Sequence, residues 1–266
     1  MNAKIGQRIM IMLLITFLAV SVIQAQDDRV VVEDLTIVAN GDEIADGFAP
    51  DVTTRLYAFQ ATAGDSVTIT MTQSSDILDP FLVLLGGTGE VLATDDDSGS
   101  AFLAAEIAGY PIPEDGTYLV LATSLAYIEG IADETIDTLD YTLRISGQTT
   151  PAETPDAGNP LQFEQIQYGS VTTGASTVEA PVIFYAFEGT AGDSVNILVK
   201  SDEYPTVLYL FGANGDRLMA DPSAITDFVL PEDGLYLILT TDVFFYESLA
   251  EDGFYLGGAF SLMLDQ

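Results

Sequence analysis

The sequence contains no cysteine, no histidine and no tryptophan, and only seven of its 266 residues are lysine or arginine. Each absence closes off a chemistry. Without cysteine the chain has no disulfides, so it holds together by packing or by metal. Without histidine or cysteine, Ser-His-Asp and Cys-His catalysis and ordinary zinc sites are excluded. Beyond residue 25 the single lysine is Lys200. It falls in an expected strand, away from any motif for a Ser-Lys dyad or a phosphate-binding loop. Beside 41 acidic residues the scarcity of bases leaves a net charge of −34. Such a surface repels nucleic acid and anionic lipid headgroups and favours cations. Solubility or a salt-rich habitat accounts for the charge equally well.

What is present begins with an export signal. Lys4 and Arg8 precede an apolar run, Ile9–Ile23, broken only by Thr16 and Ser21, and Ala25 offers a small residue for cleavage. Basic flank, short apolar stretch and small residue read as a secretory signal over 1–25. The run is shorter than the ~20 apolar residues of a spanning helix, though an uncleaved anchor is the competing reading. No cysteine follows it, which excludes a lipid-anchored lipoprotein. The expected location is therefore secreted, cell-surface or periplasmic, with no stable membrane insertion after cleavage. Removing Lys4 and Arg8 takes the charge to (7 − 2) − 41 = −36.

The remaining residues contain one unit twice. Tyr57-Ala-Phe-Gln-Ala-Thr-Ala-Gly-Asp-Ser-Val67 returns as Tyr185-Ala-Phe-Glu-Gly-Thr-Ala-Gly-Asp-Ser-Val195, and Pro113-Glu-Asp-Gly-Thr-Tyr-Leu119 as Pro231-Glu-Asp-Gly-Leu-Tyr-Leu237. Tyr141-Thr-Leu-Arg-Ile145 returns as Phe260-Ser-Leu-Met-Leu264. Three blocks in one order are the signature of duplication. Between the copies, residues 147–160 are rich in Pro, Thr and Gly and lack apolar periodicity, as a semi-extended spacer would. The domains are thus expected at 30–146 and 161–266.

Within each unit the period is two. Val67, Ile69 and Met71 alternate with Thr68, Thr70 and Thr72, the pattern of a half-buried antiparallel strand. Phe81–Leu85 is instead continuously apolar, as a core strand would be. Further strands are expected at Arg55–Gln60, Thr117–Thr123 and Tyr141–Ser146, and in the second unit at Ile183–Glu188, Ser194–Ser201, Val207–Phe211, Leu235–Thr241 and Ala259–Leu264. Turn signals separate them: Ala63-Gly64-Asp65, Ala191-Gly192-Asp193 and the hairpin dipeptide Asn214-Gly215. Short strands at regular spacing point to all-β sandwiches.

The order of these blocks resembles the bacterial pre-peptidase C-terminal domain. The resemblance runs through Tyr-x-Phe and Ala-Gly-Asp-Ser-Val, Asp79-Pro80-Phe-Leu-Val-Leu-Leu85, Gly89-Glu-Val-Leu-Ala93 and Asp95-Asp-Asp-Ser-Gly99. It ends with Pro113-Glu-Asp-Gly-Thr-Tyr118 and Tyr141-Thr-Leu143. It spans nearly all of the first unit; in the second, the first and last blocks match and the middle does not. The resemblance implies two tandem jelly-roll-like antiparallel β-sandwiches. It also implies a non-catalytic accessory role beside secreted peptidases, some relatives binding collagen or other polymers. The 266 residues themselves show no catalytic domain.

Two residue groups are candidate sites. Asp76 and Asp79 precede the Phe81 strand, and Asp95, Asp96 and Asp97 follow the Val91 strand; antiparallel neighbours would bring both groups to one end. Hard carboxylate oxygens in loops are what calcium requires, and some relatives bind calcium in this region. A solvated acidic loop is the competing reading. The second unit keeps only Asp202, Glu203 and Asp221 in the matching stretches, so Ca2+ is expected in the first unit alone. The second group is Phe244, Phe245, Tyr246, Phe254 and Tyr255, where the matching stretch Ser124–Leu139 has only Tyr127. Such a cluster either grips a sugar or polymer or closes the sandwich as a local core or as the contact with the first unit. Asp97-Ser98-Gly99 echoes an aspartic-protease motif without the second Asp-Ser-Gly that the chemistry needs. No carboxylate pair stands out for a glycosidase. The sequence thus reads as a secreted, non-enzymatic binding module for an extracellular polysaccharide or protein polymer. A structural or accessory cell-envelope protein is the alternative.

Overall fold

The computed structural model describes residues 29–31, 35–48, 54–74, 78–124, 139–148, 161–178, 180–242, 245 and 257–266. The expected signal at 1–25 and most of the expected spacer, residues 149–160, lie outside them. The eighteen elements among the described residues are all β-strands. Among the described residues no helix is long and apolar enough to cross a membrane.

In the first unit β2 (Glu43–Phe48), β9 (Leu139–Ser146), β4 (Ser66–Gln73) and β7 (Ala105–Pro111) form one sheet in the order β2-β9-β4-β7. A second sheet runs β3-β8-β5-β6, from Thr54–Ala61, Gly116–Ser124, Pro80–Leu85 and Val91–Asp95. Eight antiparallel strands divided this way between two sheets make a jelly roll. The second unit repeats the order strand for strand. Its outer sheet is β11-β18-β13-β16, from Ser170–Ser176, Gly258–Asp265, Ser194–Lys200 and Ala224–Val229. The inner sheet contains β12-β17-β14-β15, from Ile183–Gly189, Gly234–Asp242, Thr206–Gly212 and Arg217–Asp221. That sheet is extended by β10 (Gln162–Gln165), parallel to β12, and then by β1 (Arg29–Val31), antiparallel to β10.

The periodicity expected from the residues is realised. On β4, Val67, Ile69 and Met71 are buried and the alternating threonines are partly exposed. The continuous apolar runs have a different cause. On β5, Leu82 and Leu84 enter the core of the first unit, while Phe81, Val83 and Leu85 point the other way into a second core. On β17, Tyr236 and Ile238 enter the core of the second unit, and Leu235, Leu237 and Leu239 enter that same second core. It therefore lies between the units and joins Leu56, Ala58, Leu119 and Leu121 to Phe163, Phe184, Ala186 and Phe211. The inner sheets stack face to face, and the chain forms four layers of sheet around three apolar cores. A strand buried on both faces has no solvent side, so its sequence cannot alternate.

The two expected sandwiches thus pack on each other through their inner sheets. Residues 29–31 precede unit one in the chain, yet Arg29, Val30 and Val31 register with Glu164, Phe163 and Gln162 of unit two. The junction is reinforced by the hairpin between β14 and β15. Gly215 accepts a hydrogen bond at its carbonyl from the Leu56 amide, 3.0 Å away. Its φ of +90° is open to glycine, and a Cβ would strike the Leu56 carbonyl.

With a shared core neither unit can expose its inner sheet cheaply. We expect one cooperative thermal transition by calorimetry. Truncating Phe211, fully buried between the units, to alanine should cost ~3–5 kcal/mol and lower that one transition. Two resolved transitions, with only the second moved by Phe211→Ala, would contradict a shared core.

Candidate functional site

The repeated sequence blocks are brought together at one end of each jelly roll, where they clip each other. In the first unit the Asp65 carboxylate accepts the Thr62 amide at 2.9 Å, and the Asp115 carboxylate accepts the Ala63 amide at 2.8 Å. In the second, Asp193 accepts from Thr190 at 3.1 Å and Asp233 from Ala191 at 2.8 Å. Gly64 and Gly192 turn the chain with φ of +92° and +90°. The Tyr118 hydroxyl donates to the Glu114 carbonyl at 2.8 Å and stacks on Phe59; Tyr236 donates to Glu232 at 2.7 Å and stacks on Phe187. The repeated blocks are thus two halves of one structural clamp, which satisfies turn amides and covers the sandwich end.

The acidic candidates lie at another edge. Leu82 of β5 pairs with Asp95 of β6, so Asp79, just before β5, and Asp96–Asp97, just after β6, share one end of the inner sheet. Asp76 lies outside the described residues. Asp95 is engaged in the loop itself: its carboxylate accepts the Ser98 amide at 3.1 Å, the Glu106 amide at 2.6 Å and the Ser98 hydroxyl. Asp221 does the same in the second unit, accepting the Ser223 and Ala224 amides, both at 2.9 Å. Asp95 and Asp221 thus staple the same corner in their respective units. Asp96 and Asp97 belong to the longer connection, residues 96–104, that replaces residues 222–223. Among the described residues no three acids converge as a ligand set. Calcium needs ~6–8 oxygens, so the described carboxylates alone do not close a shell.

Of the aromatic candidates, Phe245 is 1 % exposed and lies in the core between the units. That corrects its reading as a ligand-gripping residue: a ring buried among Leu and Phe side chains has no face for a sugar. Phe244, Tyr246, Phe254 and Tyr255 lie outside the described residues.

Sequence reasoning missed a polar cluster at the junction of the units. Arg55 of β3 is paired with Asp46 of the first unit and with Asp216 of the second. The Tyr57 hydroxyl donates to Asp46 at 2.8 Å and lies 2.6 Å from the Tyr141 hydroxyl, while the guanidinium sits 5.8 Å from the Tyr57 ring. The available signal was Arg55 itself, one of seven bases among 41 acids. A guanidinium between two carboxylates is neutralised from both sides, which suits a structural tie. Burial, and then the neighbouring Tyr141 and Asp46, hold the Tyr57 phenol protonated well above its ordinary range. Burial does the same to Tyr141 and Tyr185. Burial, aided by the Asp193 carboxylate, pushes Tyr168 up to about 12.

The region from β3 to β8 has a known counterpart. Residues 53–124 match the bacterial pre-peptidase C-terminal domain. This family supplies non-catalytic accessory modules of secreted bacterial peptidases, and its match covers the clamp and the acidic end but not the second unit. No protein of curated function matches the sequence. Among solved structures, the pre-peptidase C-terminal domain of a Bacillus anthracis collagenase is similar at 14 % identity, with a TM-score of 0.33. That similarity covers 43 % of this chain and 96 % of that one. The CUB1-EGF-CUB2 region of human MASP-1/3 is similar at 11 % identity and a TM-score of 0.19, covering 84 % of this chain and 99 % of that one.

The buried phenols predict how the fold responds to alkali. Their folded pKa values lie above the unfolded value of ~10, so the stabilisation is fully present below pH ~10 and is lost as pH rises from there. Urea melts should therefore superimpose between pH 7 and 9 and weaken above pH ~10. A stability that rose across that alkaline range would refute the assignment.

Proposed function

We propose that this chain is an exported, non-catalytic binding module whose two fused jelly rolls hold an extracellular polysaccharide or protein polymer. The observation that carries this reading is the match of residues 53–124 to a family of accessory domains. The four-layer stack supports it, because a shared core fixes the angle between two outer faces, and rigid spacing lowers the entropy lost on binding an extended ligand. The second unit is, in this reading, a diverged copy of the first. It repeats the strand order and the clamp but not the longer acidic connection.

Calcium belongs to the proposal as an ordering ion in the first unit, drawing on Asp79, Asp96 and Asp97 together with Asp76, with Asp95 holding the loop from within. It would supply charge neutralisation at that end and no chemistry. At ~100 times its Kd, calcium should stabilise the protein by ~2.7 kcal/mol, read as a rise in melting temperature that chelator reverses. Asp96→Asn with Asp97→Asn should abolish the rise. An unchanged melting temperature in calcium would remove the ion and leave the binding reading intact.

The purified protein should be retained on one of cellulose, chitin, peptidoglycan or collagen in a pull-down at physiological salt. Retention on none of them would defeat the polymer reading.

A further inference from the structure

The outer sheets of the two units differ in a way that the fold does not require. In the first unit one row across the sheet reads Glu43, Arg144, Thr70 and Glu106, paired in register from β2 to β7. It is polar throughout: Arg144 lies 4.0 Å from Glu43, and Thr70 donates to Glu106. The same row of the second unit reads Val171, Met263, Leu198 and Ala224. All four positions have become apolar. Strand alternation turns them away from the core, which takes Leu262, Leu264, Ile197 and Val199 instead. Val171 is 66 % exposed and Leu198 40 % exposed. The outer face of an antiparallel sheet is ordinarily its polar side, and the first unit shows that this jelly roll tolerates polar residues there.

The row spans four strands, three steps of ~4.8 Å and so roughly 14 Å. Acids flank it on both sides. Asp265 and Asp227 are exposed beyond one edge. Asp202 and Glu203 are exposed beyond the other, lining a shallow groove of about 450 Å³ with Thr173 and Ser261. Against these four carboxylates stands Lys200, itself 3.3 Å from Asp202. A second copy of this chain, at −34, would meet like charge. A strip this narrow also falls far short of the ~20–30 residues a side of a standard protein interface. An apolar line between acidic margins matches a single segment that carries apolar residues flanked by lysine or arginine.

We propose that the outer face of the second unit, along Val171, Met263, Leu198 and Ala224, docks a basic amphipathic segment of another protein. This deepens the binding-module reading by naming a surface and the chemistry of its partner. The test uses the whole chain and a synthetic peptide of roughly nine residues, about one to two strand lengths, alternating leucine and lysine. A leucine–glutamate peptide is the control. The matching variant carries Val171→Glu, Met263→Arg and Leu198→Thr. These are the residues that the first unit places in the same row, and together they leave the net charge unchanged.

Expected are binding of the leucine–lysine peptide, spectral shifts confined to Val171, Leu198 and Met263 by NMR, and no binding of the control. The variant, with an unchanged melting temperature, should bind at least about tenfold more weakly, as befits the loss of buried apolar area. Equal binding by wild type and variant would show that the acidic surface alone attracts the peptide and would overturn the proposal. So would shifts on the outer face of the first unit, or no binding to the wild type. A dimer by sedimentation that the variant abolishes would make a second copy the occupant, and the proposed partner would be wrong. The two proposals fail separately. Equal retention of wild type and variant on a polymer overturns this surface as the polymer contact and keeps the module. Peptide docking without retention on any polymer does the reverse.

Discussion

The apolar contact between the two inner sheets governs the rest of this structure. Phe81, Val83, Leu85, Leu119 and Leu121 on one side and Phe184, Phe211, Leu237 and Leu239 on the other are all removed from water. Each fully buried side chain of this size contributes ~1.5–3 kcal/mol relative to exposure. Neither jelly roll could present this face to solvent without a large penalty, so the pair behaves as one body. The location of the polar features follows. The Arg55–Asp216 ion pair, the Gly215 hairpin and the strand β1 all join one unit to the other beside this contact.

Joining the units through their inner faces leaves two outer sheets and the strand-end loops free to evolve. The clamp between the Ala-Gly-Asp turn and the Pro-Glu-Asp-Gly turn is the same in both units, where it satisfies the turn amides. The outer rows and the β6–β7 connection diverged. One copy keeps a polar row and a long acidic connection; the other has a two-residue corner and an apolar row. Repetition in this protein marks structure, and departure from repetition marks the surfaces where function can reside.

Much of this was legible in the residues. Nearly all of the central strands, the turns at Gly64, Gly192 and Gly215 and the all-β class follow from local pattern, because strand periodicity and glycine conformation are local properties. The edge strands β2, β7, β11 and β16 were not legible, since a half-exposed edge with glycine or charge, as in Glu43–Phe48 or Ala224–Val229, carries no clear alternation. The role of Asp95 was hidden as well. An aspartate that accepts loop amides and one that ligates a cation look alike in sequence, and only the positions of the Ser98 and Glu106 amides separate them.

By itself the sequence determined the central strands, where the chain turns between them, the all-β class, and that histidine- and cysteine-based chemistry is absent. Tertiary structure alone decided what each apolar face meets. A continuous run such as Phe81–Leu85 announces burial on both sides but not the identity of the second partner, because the hydrophobic effect is non-directional. Only the packed chain shows that the partner is the other unit, that Phe245 belongs to that shared core, and that Val171 and Leu198 lie exposed on the outer face.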